Sequence, residues 1–253
     1  MPLALITGAS AGLGAEFARQ LARRGADLVL VARSAPALDD LAAELRDAHG
    51  VAVEVLAADL VDEAGIGRVV ARLGDGADPV DLLVNNAGFG LPLQFADNGI
   101  DDEVRHLRLH VEAPMRLMHA ALGTMRGRGG RIINVASVAG FISRSTYSAC
   151  KQWLIGFSRW ANAEYALDGV TVTAVCPGFT HTTFHERMGL PPGQEGLPSI
   201  AWLRADAVVR EGLRDAALGR AVSVPSLRYK LVVALTKVLP ASLTARAARK
   251  GRV

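Results

Sequence analysis

Short apolar runs alternate with longer segments of helical periodicity along most of the chain. The apolar runs are rich in Val, Ile and Leu, which is typical of strands buried on both faces of a parallel sheet. We predict strands at residues 3–7, 27–33, 51–59, 80–88, 130–137 and 169–178. We predict helices at residues 15–25, 35–50, 62–74, about 101–126 and about 146–167.

This regular alternation of strand and helix predicts an α/β fold. We expect one doubly wound, Rossmann-type domain over residues 1–253, with a central parallel β-sheet flanked by helices. The predicted strands end in small, polar or glycine-rich residues. Because ligands of such sheets bind beyond the carboxyl ends of the strands, we expect the functional site at that edge.

Composition narrows the class of protein. Half of the 253 residues are hydrophobic, which is enough for a large core. The two cysteines, Cys150 and Cys176, lie far apart and suit neither a disulfide framework nor a metal site, so we expect a reducing, cytoplasmic setting. The first predicted strand leaves no room for a signal peptide, and no apolar run is long enough to span a membrane.

The positive charge is concentrated near the C-terminus. The net charge is +3, but residues 228–253 contain seven basic residues and no acidic one, so the preceding part carries −4. This distribution argues against a core that binds nucleic acid. We expect residues 241–253 to be a basic, disordered tail. The apolar stretch before it could rest on an anionic membrane surface, but packing against the domain or a second subunit is the favoured interpretation.

A glycine-rich turn, "TGASAGLG", follows the first predicted strand and opens the first helix. Its small residues let the backbone approach a pyrophosphate, and a helix N-terminus favours anions. The alternative is a tight turn whose glycines serve only packing. The predicted cofactor contacts of this turn come from Gly8, Ser10, Gly12, Leu13 and Gly14.

The end of the second predicted strand indicates which dinucleotide binds. Sites that prefer NAD usually carry an acidic residue there, which accepts hydrogen bonds from the ribose hydroxyls. No carboxylate occupies residues 31–34, and Arg33 offers a guanidinium suited to a 2′-phosphate. Arg33 could instead be an ordinary surface arginine. The missing acid and the present base both favour NADP(H).

At this point the chain resembles a family, the single-domain short-chain dehydrogenases/reductases. The resemblance extends over about residues 3–235 and includes the order of the motifs and their places at strand ends. Its motifs are Thr7–Gly14, Asp59–Leu60, Asn85–Gly88, Ser137, Tyr147-x-x-x-Lys151 and Pro177–Gly178.

The resemblance implies further cofactor contacts. Asp59 and Leu60 would lie at the adenine. The cofactor channel would be lined by Asn86, Ala87 and Gly88, and the nicotinamide end would be held by Pro177, Gly178, Thr180 and Thr182.

Tyr147 and Lys151 are four residues apart, which places them on one helix face. The resemblance implies that Tyr147 is the acid–base and that Lys151 binds the nicotinamide ribose and favours the phenolate. A phenol is protonated at neutral pH, as donation to a carbonyl oxygen requires. Ser137 would hydrogen-bond the substrate oxygen. The ten residues from Ser137 to Tyr147 are fewer than the family usually has, but we expect the two hydroxyls to remain close.

His110 occupies the position at which the family often has an asparagine that helps to hold a relay water. An imidazole can relay protons, so His110 is a candidate catalytic residue, although it could equally fill space on the helix. His106 and His110 are four residues apart, as are His181 and His185. Neither pair has a third ligand at a recognisable spacing, so we predict no metal.

The segment 178–205 is predicted to be a lid loop over the substrate. Its apolar residues favour a hydrophobic carbonyl or alcohol substrate, although they could simply pack the loop onto the domain. They are Phe179, Phe184, Met188, Leu190 and Trp202.

Two functions remain open. The favoured one is an NADP(H)-dependent carbonyl reductase, and the alternative is an NADP(H)-binding regulatory or scaffold protein with impaired catalysis. We also predict a homodimer or homotetramer, because the helices at about 101–126 and 146–167 carry apolar residues beyond what one sheet face needs. These residues are Leu117, Met118, Leu122, Trp153, Leu154, Phe157 and Trp160.

Overall fold

The computed structural model describes residues 2–92, 94–182 and 199–238. Most of the predicted lid, including Phe184, Met188 and Leu190, and the whole predicted tail at 241–253 lie outside the described residues.

The described residues form a seven-stranded sheet in which all neighbours are parallel, with the order β3-β2-β1-β4-β5-β6-β7. This confirms the predicted doubly wound α/β fold. The strands are β1 (Leu3–Thr7), β2 (Asp27–Ala32), β3 (Val53–Ala57), β4 (Leu82–Asn85), β5 (Gly130–Val135), β6 (Val170–Val175) and β7 (Val222–Ser223).

Helices cover both faces of this sheet. They are α1 (Gly12–Ala22), α2 (Ala35–His49), α3 (Glu63–Leu73), α4 (Ile100–Leu107), α5 (Ala113–Met125), α6 (Thr146–Glu164), α7 (Ala205–Ala217) and α8 (Leu227–Val238). Short 3₁₀ turns occur at Phe95–Asp97, Val138–Phe141 and Ser199–Ala201.

The predicted helix at 101–126 is not continuous. A π-helical turn, Arg108–Glu112, separates α4 from α5 and carries the buried His110. A π turn makes room for an extra residue within a helix, and such turns are frequent at functional sites.

Two apolar cores lie on opposite faces of the sheet. Alternate residues of β1 serve different cores, with Leu5 in one and Ile6 in the other. Helices α3, α5 and α6 cover the first core, whereas α1, α2 and α7 cover the second. The sheet is therefore buried on both faces, as its apolar strands predict.

Most of the residues assigned to a subunit interface fill the first core instead. Leu117, Met118, Leu122 and Leu154 are buried within one chain, because two helices pack side by side over that face of the sheet. Trp160 alone among the seven is exposed. The apolar excess on which the oligomer prediction rested is therefore mostly explained by the core.

An exposed apolar face on α4 supplies a different basis for the oligomer prediction. Ile100, Val104 and Leu107 follow helical spacing and are all exposed. We expect a homodimer or homotetramer by light scattering at micromolar concentration, and Val104→Glu should dissociate it. The matched variant Leu167→Glu changes an exposed leucine after α6 and should have no effect. A monomeric wild type would contradict the prediction.

Helix α8 presents an apolar outer face. Leu227, Leu231 and Leu235 are exposed, whereas Tyr229 and Val233 pack on the core. Among the described residues, no helix has both the length and the apolar character that crossing a membrane requires. Membrane contact through the C-terminal tail stays a prediction.

Candidate active site

The turn after β1 packs its backbone closely against the end of β4 and the start of α1. Gly8 has a φ of +66°, a conformation that side chains disfavour, and a Cβ added there would lie 2.9 Å from the Ala87 Cα. A Cβ at Gly14 would lie 2.1 Å from the Gly8 oxygen. The Ala9 amide donates to the Val31 carbonyl, which holds the turn beside the end of β2. The glycines thus permit a close crossing of strand, turn and helix.

Thr7 and Asn86 join this turn to the end of β4. The Thr7 hydroxyl accepts hydrogen bonds from the backbone amides of Asn86 and Ala87 at 2.9 and 3.0 Å. In return, the Asn86 side-chain amide donates to the Thr7 carbonyl at 2.9 Å. These bonds explain why β4 ends at Asn85 rather than at the predicted residue 88, because the next residues leave the sheet to contact the turn.

The segment after β6 completes the same edge of the sheet. The Thr182 side chain lies 3.3 Å from a Cβ added at Gly12, so it borders the glycine turn. Thr180 is buried, and its hydroxyl donates to the Gly178 carbonyl at 2.9 Å. The predicted cofactor residues of β1, β4 and β6 therefore meet at one edge. A cradle of small residues beside a helix N-terminus fits a dinucleotide.

Tyr229 of α8 fixes the segment that follows Pro177. A Cβ at Gly178 would lie 2.0 Å from the Tyr229 ring, so the glycine permits this contact. The Tyr229 hydroxyl accepts a hydrogen bond from the Phe179 amide at 3.1 Å and donates to the Ala201 carbonyl at 2.7 Å. One phenol thus binds the chain on both sides of residues 183–198. The sequence patterns did not reveal this role.

The predicted adenine and ribose residues have different environments. The Arg33 side chain is exposed and has no ion-pair partner among the described residues, which leaves its guanidinium available to a ligand. One Asp59 carboxylate oxygen accepts from the Val61 amide at 3.1 Å. The Leu60 side chain is buried in the core, so only its backbone could meet a nucleotide.

Ser137 and Tyr147 lie together despite the short interval between them. Ser137 follows β5 and caps the next 3₁₀ turn, where its hydroxyl accepts from the Ala139 amide at 3.1 Å. Tyr147 is in the first turn of α6, with its hydroxyl hydrogen bonded to the Ser137 side chain. Desolvation raises the pKa of Tyr147 to about 12 and outweighs that hydrogen bond, which lowers it. The phenol is therefore protonated at neutral pH.

Lys151 lies one turn further along α6 and is buried. Its ammonium donates to the Val135 carbonyl at 2.8 Å and lies 5.5 Å from the centroid of the Tyr147 ring. Burial lowers the pKa of Lys151 to about 8, so the side chain is mainly charged at pH 7. In this structure desolvation, rather than the Lys151 charge, dominates the pKa of Tyr147.

His110 packs behind the tyrosine. Its ring lies edge-on to the Tyr147 ring, with 5.5 Å between centroids, and its Nε2 is 2.8 Å from the Phe89 carbonyl oxygen. A Cβ at Gly88 would lie 2.6 Å from the His110 ring. Burial and the nearby Lys151 charge hold the pKa of His110 well below its usual value, so the imidazole is neutral.

A second histidine adjoins His110. The centroids of the His106 and His110 rings are 4.3 Å apart, and His106 is fully buried. Burial lowers the pKa of His106 to about 4. The sequence analysis considered this pair only as metal ligands and predicted no metal. The described residues contain no group of three or more potential ligands placed to hold a metal ion.

These two neutral imidazoles should make the fold sensitive to acid. The unfolded chain protonates both below about pH 6.5, whereas folded His106 stays neutral down to about pH 4 and folded His110 lower still. Stability is therefore fully present above pH 6.5 and is lost as the pH falls below it. Each extra proton on the unfolded chain contributes a slope of about 1.4 kcal/mol per pH unit.

Urea unfolding at pH 7, 6 and 5 measures this slope. The double variant His106→Phe/His110→Asn should flatten it, whereas His119→Asn, which alters an exposed histidine of α5, should not. A wild-type stability that is constant from pH 7 to pH 5 would contradict the expectation.

Comparisons with known proteins agree with this geometry. A family model described as short chain dehydrogenase matches residues 2–190. Oxidoreductase UcpA of Escherichia coli (strain K12) is 32% identical over 217 residues, covering 84% of this chain and 82% of the relative. A solved short-chain dehydrogenase from Sphingobium yanoikuyae, in complex with NADPH, has a TM-score of 0.85 and 36% identity and covers 94% of both chains. The bulky-bulky ketone specific alcohol dehydrogenase from Comamonas testosteroni has a TM-score of 0.81 and 31% identity, covering 94% of this chain and 93% of the other.

Proposed function

Because this chain belongs to the short-chain dehydrogenase family of oxidoreductases, we propose that it is an NADP(H)-dependent carbonyl reductase with Tyr147 as the proton donor. The observation that carries this proposal is the meeting of Ser137, Tyr147 and Lys151 beside the glycine cradle. Gly8 and Gly14 let the turn after β1 pack tightly at the same sheet edge, where a helix N-terminus favours an anionic dinucleotide.

Each residue of the candidate site has a separate role in the proposed reduction. When bound, the cofactor supplies a hydride to the carbonyl carbon. Tyr147 holds its proton, because its pKa is about 12, and donates it to the carbonyl oxygen. Ser137 hydrogen-bonds that oxygen and stabilises the negative charge that develops on it. Lys151 keeps a positive charge near the Tyr147 ring, and His110 packs against the same ring.

Arg33 supports the choice of NADPH over NADH. It follows β2 beside the glycine turn, is exposed, and has no carboxylate in the neighbouring residues 31–34. We expect tighter binding of NADPH than of NADH in a fluorescence titration. Arg33→Ala should weaken NADPH alone, by on the order of 1.5–3 kcal/mol for each charge-assisted hydrogen bond lost.

Arg24→Ala is the control for this titration, because Arg24 is equally exposed but lies after α1, before β2 begins. It should leave both dissociation constants unchanged. Equal affinities of the wild type for NADPH and NADH would reject the assignment.

An apolar substrate is the second part of the proposal. Phe179 and Trp202 lie at the two ends of the predicted lid, with ring centroids 5.7 Å apart, on the nicotinamide side of the site. The alcohol dehydrogenase from Comamonas testosteroni is specific for bulky-bulky ketones. We infer that this chain reduces hydrophobic ketones or aldehydes with the predicted lid over the substrate.

A panel of carbonyl compounds tests the proposal directly. NADPH oxidation should be fastest with hydrophobic ketones and slow with small polar ones. If NADPH binds but no carbonyl in the panel is reduced, the alternative of a regulatory or scaffold protein replaces the reductase.

A further inference from the structure

Three buried titratable side chains, Glu103, His106 and His110, form a row beside the Tyr147 ring. Glu103, His106 and His110 are 6%, 0% and 1% exposed. Their spacings of three and four residues place them on one face of α4 and the π turn that follows it. The His110 and His106 ring centroids lie 5.5 and 6.0 Å from that of Tyr147. The proposed reduction gives no role to Glu103 or His106.

Each of the three has one buried polar atom without a hydrogen-bond partner among the described residues. These atoms are Glu103 Oε2, His106 Nε2 and His110 Nδ1. Leaving a buried polar atom unsatisfied costs roughly 1–3 kcal/mol, so three in succession are expensive for a purely structural helix face.

The remaining polar atoms of the row show how it is held. Glu103 Oε1 accepts from the Asn98 side-chain amide at 2.7 Å, near the outer end of the row. His110 Nε2 lies 2.8 Å from the Phe89 carbonyl oxygen and 3.3 Å from the Phe89 amide nitrogen, so it can donate to the first or accept from the second. The unpartnered Nδ1 of His110 carries a lone pair in one tautomer and a proton in the other, so it can accept or donate a proton within the row.

Ring distances connect the two histidines with Tyr147, and an electrostatic interaction connects Glu103 with His106. The His106 and His110 ring centroids are 4.3 Å apart, and His110 is 5.5 Å from Tyr147. The Glu103 charge raises the pKa of His106, while the Lys151 charge lowers the pKa of both histidines. A small ring rotation, or a single bridging water, is enough to pass a proton between groups at such separations.

We propose that Glu103 and His106 deliver protons to His110, and that this row restores the proton Tyr147 loses in each reduction. The proposal rests on the proposed reductase function. Neither Glu103 nor His106 touches the reacting atoms, and each acts on them through His110.

The proton balance is simple. One proton enters at Glu103, and one reaches the Tyr147 phenolate through Lys151. Each transfer breaks one O–H or N–H bond and forms another, and no electron moves along the row. While Lys151 is charged, it disfavours imidazolium at both histidines. Once Lys151 has given its proton to the phenolate, that repulsion disappears, and His110 can accept a proton from His106 and pass it to the neutral Lys151 amine, which becomes an ammonium again.

One more titratable group faces the row. Cys150 of α6 has its Sγ 4.0 Å from His106 Nδ1. Burial raises the pKa of the Cys150 thiol, so it stays uncharged at neutral pH and does not alter this electrostatic order.

Kinetics of two variants test the proposal. Glu103→Gln keeps the shape of the side chain, and His106→Phe fills the same space without a nitrogen. Both should lower kcat at least about tenfold, equivalent to roughly 1.4 kcal/mol. Both should also raise the solvent deuterium isotope effect on kcat, because proton return becomes slower than hydride transfer. The NADPH dissociation constant should not change.

Asp102→Asn and His119→Phe are matched controls on exposed positions of α4 and α5. They should retain the wild-type kcat and isotope effect. Melting temperatures distinguish a loss of fold from a loss of proton delivery, since a merely structural role would lower stability without changing the isotope effect.

Histidine NMR of the protein without cofactor gives a readout independent of turnover. Lys151→Met should raise the pKa of His106 and His110, whereas Glu103→Gln should lower that of His106. Unchanged histidine titrations would overturn the proposed proton row alone. An active wild type whose Glu103→Gln and His106→Phe variants match it in kcat and isotope effect would do the same. A wild type that reduces no carbonyl would overturn the reductase function and the row with it.

Discussion

Tyr147→Phe is expected to lower kcat by about 10²–10⁴-fold, because it removes the group that donates the proton. The substitution deletes one oxygen and keeps the ring that packs against His110, so the fold and the affinity for NADPH should change little. The pKa of about 12 means that the phenol is protonated across the assayable pH range. The rate of reduction should therefore show no titration that belongs to Tyr147 itself.

Tyr165→Phe provides the matched control. Tyr165 is partly buried at the C-terminal end of the same helix, and its ring contacts Trp160 and Arg126 far from Ser137. The kcat of Tyr165→Phe should equal that of the wild type. Full activity in Tyr147→Phe would be incompatible with the proposed chemistry, and equal losses in both variants would point to a defect of α6 as a whole.

Lys151→Ala is expected to damage binding and turnover together. The substitution removes a buried cation near the Tyr147 ring and leaves the Val135 carbonyl without its donor. Loss of charge-assisted hydrogen bonds to a ribose should weaken NADPH by on the order of 1.5–3 kcal/mol, and kcat should fall at least about tenfold.

Fluorescence titration and steady-state kinetics on the same preparation separate the two effects of Lys151→Ala. Lys230→Ala is the control, since that lysine forms an ion pair with Glu211 on the surface, away from the site. If the NADPH dissociation constant of Lys151→Ala is unchanged while kcat falls, the ribose-binding role of Lys151 is wrong and the catalytic role stays.

Periodicity predicted the first six strands, because each is an apolar run bounded by turn residues. It did not predict β7, which has only two residues and offers no pattern. It also missed α8, whose outward and inward faces are both apolar and therefore lack the contrast that marks an amphipathic helix. The parallel, doubly wound arrangement of the sheet could be predicted from the alternation of strands and helices. The existence of β7 and α8 could not, because both depend on contacts with the rest of the fold.

The candidate site, too, could be predicted only in part from the sequence. Motif residues such as Gly8, Tyr147 and Lys151 could be proposed from the sequence, because their spacing and their places at strand ends are distinctive, and their roles stay predictions. Glu103 and His106 were not assigned to it. A helix pattern tells which face a side chain occupies, but not whether each of its polar atoms finds a partner. The π turn that carries His110 was also missed, since one inserted residue hardly changes the apolar pattern.

The double hydrogen bond of Tyr229 has a consequence for how this chain can diverge. Because one hydroxyl holds both Phe179 and Ala201, the backbone on each side of residues 183–198 is fixed to the body of the protein. The entropy of closing a loop grows only logarithmically, at about 0.6 kcal/mol for each doubling of length. Insertions and deletions between those two anchors should therefore be tolerated. We therefore expect that exchanging this segment between homologues changes the proposed substrate range while Ser137 and Tyr147 stay in place.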